Sequence, residues 1–184
     1  MNDSQTTICN IILSVLGLDN FRDNYNSPGY RYIFGQIIRQ YAEINNNYQK
    51  TWKHIDLCRV HHKFTVRAAN VLNENPDAND DGIWQLLHYE HIVPISLLIQ
   101  QLVELEPNNL NFENVAEIMN QNEVIILTKE EAHVLDGRMD RQYPLDGGYI
   151  NGQGMRANGT REQRLNAINA TIHNDYINNS INVG

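Results

Sequence analysis

Glu90 and His91 stand side by side in the stretch HYEHIVPISLLIQ, His88 to Gln100, at the end of an apolar run. A carboxylate is a hard oxygen donor for a divalent cation. A neutral imidazole, with an ordinary pKa near ~6.5, can take a proton from water at physiological pH. Hydrolysing a phosphodiester needs an activated water, neutralised phosphoryl oxygens and help for the departing oxygen, and one hard cation can serve the last two needs. Glu90 as metal ligand and His91 as general base would divide that work at a strand's exit, if local twist turns both toward one cleft. His133 offers a second ligand, in the first turns of a helix that Thr128-Lys-Glu-Glu131 should open as a capping box. Each residue has a plainer alternative: a backbone-bonded buried histidine at His91, an ion-paired carboxylate at Glu90, a helix-end charge at His133. Glu130 and Glu131 read as helix-start residues.

The elements that must position these side chains follow from periodicity and punctuation. Ser4 can cap a helix carrying Ile8, Ile11, Ile12, Val15 and Leu16, stopped by Gly17. Ser27-Pro28 starts a second, with Tyr30, Ile33, Phe34, Ile37, Ile38, Tyr41 and Ile44 on one stripe. Thr51 opens a third, expected to reach about Asn73, with Trp52, Ile55, Val60, Phe64 and Leu72 as its apolar side. Asn75–Gly82 has loop composition, and Trp84–Val93 reads as a strand ended by Pro94. Ile95–Leu105 and Phe112–Met119 have helical spacing; Asn122–Leu127 is a β-branched strand. Gly137–Gly159 reads as loop, and Thr160-Arg-Glu-Gln163 as a capping box for a helix through about Tyr176. The order around the chemistry is strand, helical insertion, strand, helix.

Glu90-His91-Ile-Val-Pro94 resembles the Asp/Glu-His-Ile-Val-Pro motif of HNH (ββα-metal, His-Me finger) endonucleases. His133 lies five residues after Leu127-Thr128, the offset at which several members carry a metal ligand on the helix. The resemblance implies Glu90 and His133 as ligands of one Mg²⁺ or Mn²⁺, and His91 as general base. It implies an Asn near the start of the second strand that braces the loop bearing the histidine: Asn122, with Asn120 and Asn108 as alternatives. The zinc-holding cysteine pairs of many members are missing, so no structural zinc is expected. About thirty residues separate Glu90 from Asn122, where the Ile95–Met119 helices would replace a short loop. The resemblance spans about His88–Asp136, a quarter of the chain. The implied fold is α+β, mostly helical. An N-terminal helical lobe (1–82) precedes a ββα-metal core with a helical insertion (83–136), then a loop and C-terminal helix (137–184) pack on the same domain.

Bulk properties narrow the setting. A chain of 184 residues, 41% hydrophobic and 20% charged, suits one soluble domain, or one domain with an appended lobe. No apolar run approaches the ~18 residues that span a bilayer, and MNDSQTTICNIIL lacks a signal peptide's basic start. Two separated cysteines, Cys9 and Cys58, offer no disulfide framework. A cytoplasmic protein without a membrane partner is expected. The net charge of −8 argues against a general polyanion binder, but its distribution is uneven. Lys50 to Arg67 holds five Lys/Arg against one Asp; Glu74 to Glu131 holds twelve acids against Lys129 alone. Lys50, Lys53, Arg59, Lys63 and Arg67 on the third helix, with Arg138 and Arg141 beyond His133, are the candidate nucleic-acid contacts. An ordinary solvated helix face is the alternative. Tandem His61-His62 on a helix would point apart and make poor co-ligands.

The expected activity is metal-dependent endonucleolytic cleavage of DNA, with RNA open, by a restriction, homing or phage-type enzyme. A homodimer would let both strands be cut, though no heptad demands one. The competing expectation is a non-catalytic nucleic-acid- or protein-binding module that keeps an HNH-like core. A nucleotide hydrolase is a third, which the basic segment disfavours.

Overall fold

A computed structural model describes residues 1–44, 49–135 and 160–173, with Lys53 described by its backbone only. In chain order the elements are α1 (Asp3–Leu16), α2 (Phe21–Asn24), α3 (Pro28–Glu43), α4 (Ile55–His61), β1 (Lys63–Thr65), α5 (Val66–Glu74), α6 (Asp80–Leu86), β2 (Leu87–His91), α7 (Ile95–Val103), α8 (Phe112–Met119), β3 (Val124–Thr128), α9 (Lys129–Leu135), α10 (Arg161–Ala167) and β4 (Ile172–His173). The protein is α+β and mostly helical, as expected.

The chain forms two compact units that are not contiguous in sequence: residues 1–50 with 93–123, and residues 51–92 with 124 onward. This grouping by contact does not break at residue 82, and the boundary expected at residue 136 lies outside the described residues. The helices between the two long strands belong with the N-terminal helices, because their apolar faces need a helical partner.

The first unit is helical. Asn2 caps α1, its Oδ1 accepting from Gln5 N while Gln5 Oε1 accepts from Asn2 N, and Gly17 ends the helix. The cap thus lies two residues earlier than Ser4. Pro28 opens α3 as expected. α1 packs on α3 and α8, and α7 packs on α3 and α8. Ile8, Ile12, Phe34, Ile38, Leu98, Leu102, Val115 and Met119 fill the interior. Polar ties close it: Arg22 Nη1 donates to Leu105 O at 2.5 Å, and Asn122 Nδ2 to Ile38 O at 2.6 Å.

The second unit is built on a four-stranded mixed sheet in the order β2-β3-β1-β4. β3 pairs antiparallel with β2 and parallel with β1, and β4 closes the far edge antiparallel to β1. Every residue of β3 is buried, as expected for a central strand of continuous apolar character. α5 and α9 pack on β3, α9 also touches β2, and α10 packs on α9.

Three expectations are corrected here. The single helix from Thr51 to about Asn73 is instead a 3₁₀ turn (Thr51–Lys53), α4, β1 and α5. Lys63-Phe-Thr65 pairs with β3 at Lys63↔Ile125 and Phe64↔Ile126; strand pairing overrides the helical pattern. Trp84–Val93 is not all strand, because Asn79 caps α6, its Oδ1 accepting from Gly82 N, before β2 begins at Leu87. The C-terminal helix stops at Ala167 rather than about Tyr176; Asn169 adopts a left-handed φ of 46°, and the chain turns into β4.

Candidate active site

β2 carries Glu90 and His91 on its last two positions, paired with Ile125 and Val124. Successive strand side chains point to opposite faces, and the partners of this pair follow that rule. Glu90 shares a face with His88, whose Nε2 lies 3.1 Å from Glu90 Oε2. On that side Arg164 of α10 donates from Nη2 to Glu90 Oε1 at 2.6 Å. The Arg164 side chain is only 2% exposed and that of Glu90 18%, so this is a largely desolvated ion pair. α10 packs on α9, so Glu90 faces the α9–α10 side of β2.

His91 shares the opposite face with Tyr89, ring centroids 6.1 Å apart and edge to face. Tyr89 leads to a buried polar cluster. Its hydroxyl lies 2.9 Å from His62 Nε2 and 3.1 Å from Thr51 Oγ1, while Thr51 Oγ1 and His62 Nε2 are 2.6 Å apart. Burial pushes the His62 pKa from its usual 6.5 down to about 3, helped by repulsion from His61 and His91, so the ring is neutral at physiological pH.

Glu90 and His91 are therefore neighbours in sequence but not in one cleft along the paired length of β2. His133 sits half-buried in the second turn of α9, the helix that packs on the strand bearing Glu90. Asn122 belongs to the other unit, where its amide donates to Ile38 O. Among the described residues no group of three or more His, Cys, Asp or Glu side chains is arranged to hold a metal ion. The donor types around Glu90, a carboxylate with the His88 imidazole beside it, suit a divalent cation. The resident counter-charge is Arg164, so a cation would have to compete with it.

The basic candidates are dispersed. Lys50 is exposed at an isolated bridge to Ile44 in the first unit, and Lys53 lies in the 3₁₀ turn. Arg59 on α4 is 3.4 Å from Asp56, Lys63 is half-buried in β1, and Arg67 is exposed on α5. They do not form one helix face, since the helix expected to carry them is broken by β1. Arg138 and Arg141 lie outside the described residues.

Glu131 reads correctly as a capping residue but does more than cap. Its Oε2 accepts from Thr128 N at 2.9 Å and from Thr65 Oγ1 at 2.8 Å, tying α9 to the start of α5. Thr65 also accepts from Ala68 N, so it is the N-cap of α5. Arg164 and Tyr89 went unassigned in the sequence, Thr51 is read there only as a helix start and His62 only as a poor co-ligand. For Arg164 the available signal was the capping box at Thr160, which places a helix there; for His62 the assumption of a continuous helix concealed the turn into β1.

No protein-family model, curated protein or solved structure matches the chain.

Proposed function

We propose that the protein is a metal-dependent endonuclease of the HNH type that hydrolyses phosphodiester bonds in DNA. One observation carries this. The Glu90-His91-Ile-Val-Pro94 motif closes a strand that pairs antiparallel with β3, and Leu127-Thr128 at the end of β3 runs directly into the helix bearing His133. This order of strand, strand and helix supports the reading. Glu90 and His133 would hold a Mg²⁺ or Mn²⁺ ion, which when bound would neutralise charge on the phosphoryl oxygens. His91, the last residue of β2, would accept the proton of the attacking water; in the observed pairing its ring lies on the face opposite Glu90. Arg164 holds the Glu90 carboxylate oriented and neutralised. Lys63 and Arg59 would contribute phosphate contacts.

The setting proposed with it is a reducing cytoplasm. Cys9 and Cys58 are both free and buried, with thiol pKa values pushed by burial to about 11 and about 12, so neither is a reactive thiolate. Among the described residues no helix is long and apolar enough to cross a membrane.

The Glu90–Arg164 pair specifically favours a second reading, a nucleic-acid- or protein-binding module in which a guanidinium has replaced the cation for good. Thermal unfolding with Mn²⁺ separates the two. A nuclease site gives a concentration-dependent rise in Tm that disappears in Glu90→Ala and in His133→Ala. A Tm indifferent to Mn²⁺ in the wild-type chain rejects the nuclease and leaves the module.

A further inference from the structure

A cavity of about 330 Å³ opens in the second unit, lined by Val66, Arg67, Glu131, Asn169 and Thr171. Its volume falls at the small end of the range of ligand pockets, roughly 300–1,000 Å³. One wall is fixed where Val66 N donates to Thr171 O at 2.8 Å. Glu131 is 1% exposed, and its Oε2 is taken by Thr65 and Thr128. Its other oxygen, Oε1, is buried and has no hydrogen-bond partner among the described residues. Arg67 Nη1 stands 4.0 Å from it, beyond hydrogen-bond reach. A buried carboxylate oxygen without a donor favours any ligand that brings one.

The charges in the wall restrict that ligand. Glu131 repels a phosphate and Arg67 repels a divalent cation, while together they leave the cavity near neutral. A neutral group with a donor toward Glu131 Oε1 and an acceptor beside it toward Arg67 fits these walls. Nucleobase edges carry this pairing, a ring N–H or exocyclic amine next to a carbonyl or ring nitrogen. We infer that this cavity receives an unstacked base of a bound single strand, with Glu131 Oε1 accepting from the base and Arg67 donating to it. The inference rests on the proposed action on nucleic acid, and it assigns the Glu131–Arg67 pair to the recognition of bases rather than to the chemistry at Glu90. Extrusion of a base into a protein pocket is an established way to hold a strand.

The test is fluorescence anisotropy of the full chain in EDTA. The probes are a short single-stranded DNA and a fully abasic phosphodiester oligomer of the same length and charge. The base-bearing strand should bind about tenfold tighter or more. In Glu131→Gln the capping oxygen is kept but a donor replaces Oε1, and the preference should fall to about twofold or less. Thr171→Tyr fills the cavity from an exposed position without touching the Thr128 cap, and should do the same if Glu131→Gln does not fold. Equal affinity for both oligomers in the wild type, binding to neither, or a preference that survives in Thr171→Tyr overturns the inference. Metal-dependent cleavage is scored separately: its loss with base preference intact sinks only the nuclease reading, and cleavage without base preference sinks only the pocket.

Discussion

Acidification should destabilise the protein, with His62 as a main contributor. Its imidazole is 5% exposed, shares Nε2 with Thr51 and Tyr89, and has a pKa near 3 in the folded chain against an ordinary 6.5. Between those two values the unfolded chain binds a proton at this site and the folded chain does not, so stability falls as pH falls. The contribution is absent above about pH 7 and grows by about 1.4 kcal/mol per unit below pH 6.5, levelling near pH 3. At pH 5 it amounts to about 2 kcal/mol. Urea denaturation of wild type and His62→Gln at pH 7.5 and pH 5 isolates this, since the other titrating groups are common to both chains. The variant should start less stable, having lost the His62 Nε2 contacts with Thr51 and Tyr89, yet lose about 2 kcal/mol less on acidification. Parallel losses in the two proteins, or a His62 ring that titrates near 6.5 by NMR, would refute the buried-neutral assignment.

Other consequences follow from the same packing. Glu90→Ala strips the carboxylate from a buried guanidinium and should cost about 3 kcal/mol in denaturant unfolding. Adding Arg164→Met should restore most of it, and a double mutant as weak as the single would show that the pair is not the cause. Thr65→Ala removes both the α5 cap and a donor to Glu131, for a loss of about 2 kcal/mol; a loss below about 0.5 kcal/mol would mean that Thr65 does not link the two helix starts.

The longer helices of the first unit were legible from local punctuation and apolar pattern: Pro28 at the start of α3, Gly17 after α1, the full span of α8; the four-residue α2 was not. β3 and the capping box after it were legible for the same reason. What escaped was non-local. β1 is three residues long and exists because β3 offers it a partner roughly sixty positions away. β4 is a pair of residues added to the edge of β1. The site shows the same limit. Residue types and spacing located Glu90, His91 and His133 on the elements where they are found. The face each presents depends on strand pairing that continues through His91, and the counter-ion of Glu90 comes from a helix 74 positions on. Neither is encoded near the motif.

Cleavage of supercoiled plasmid DNA by the purified chain, with Mn²⁺ or with EDTA, tests the central claim most directly. Wild type with metal should nick or linearise the plasmid, EDTA should stop it, and His91→Ala, folded by circular dichroism, should be slower by at least about a hundredfold. DNA left intact by metal-replete wild type, or cut equally well by His91→Ala, would contradict it.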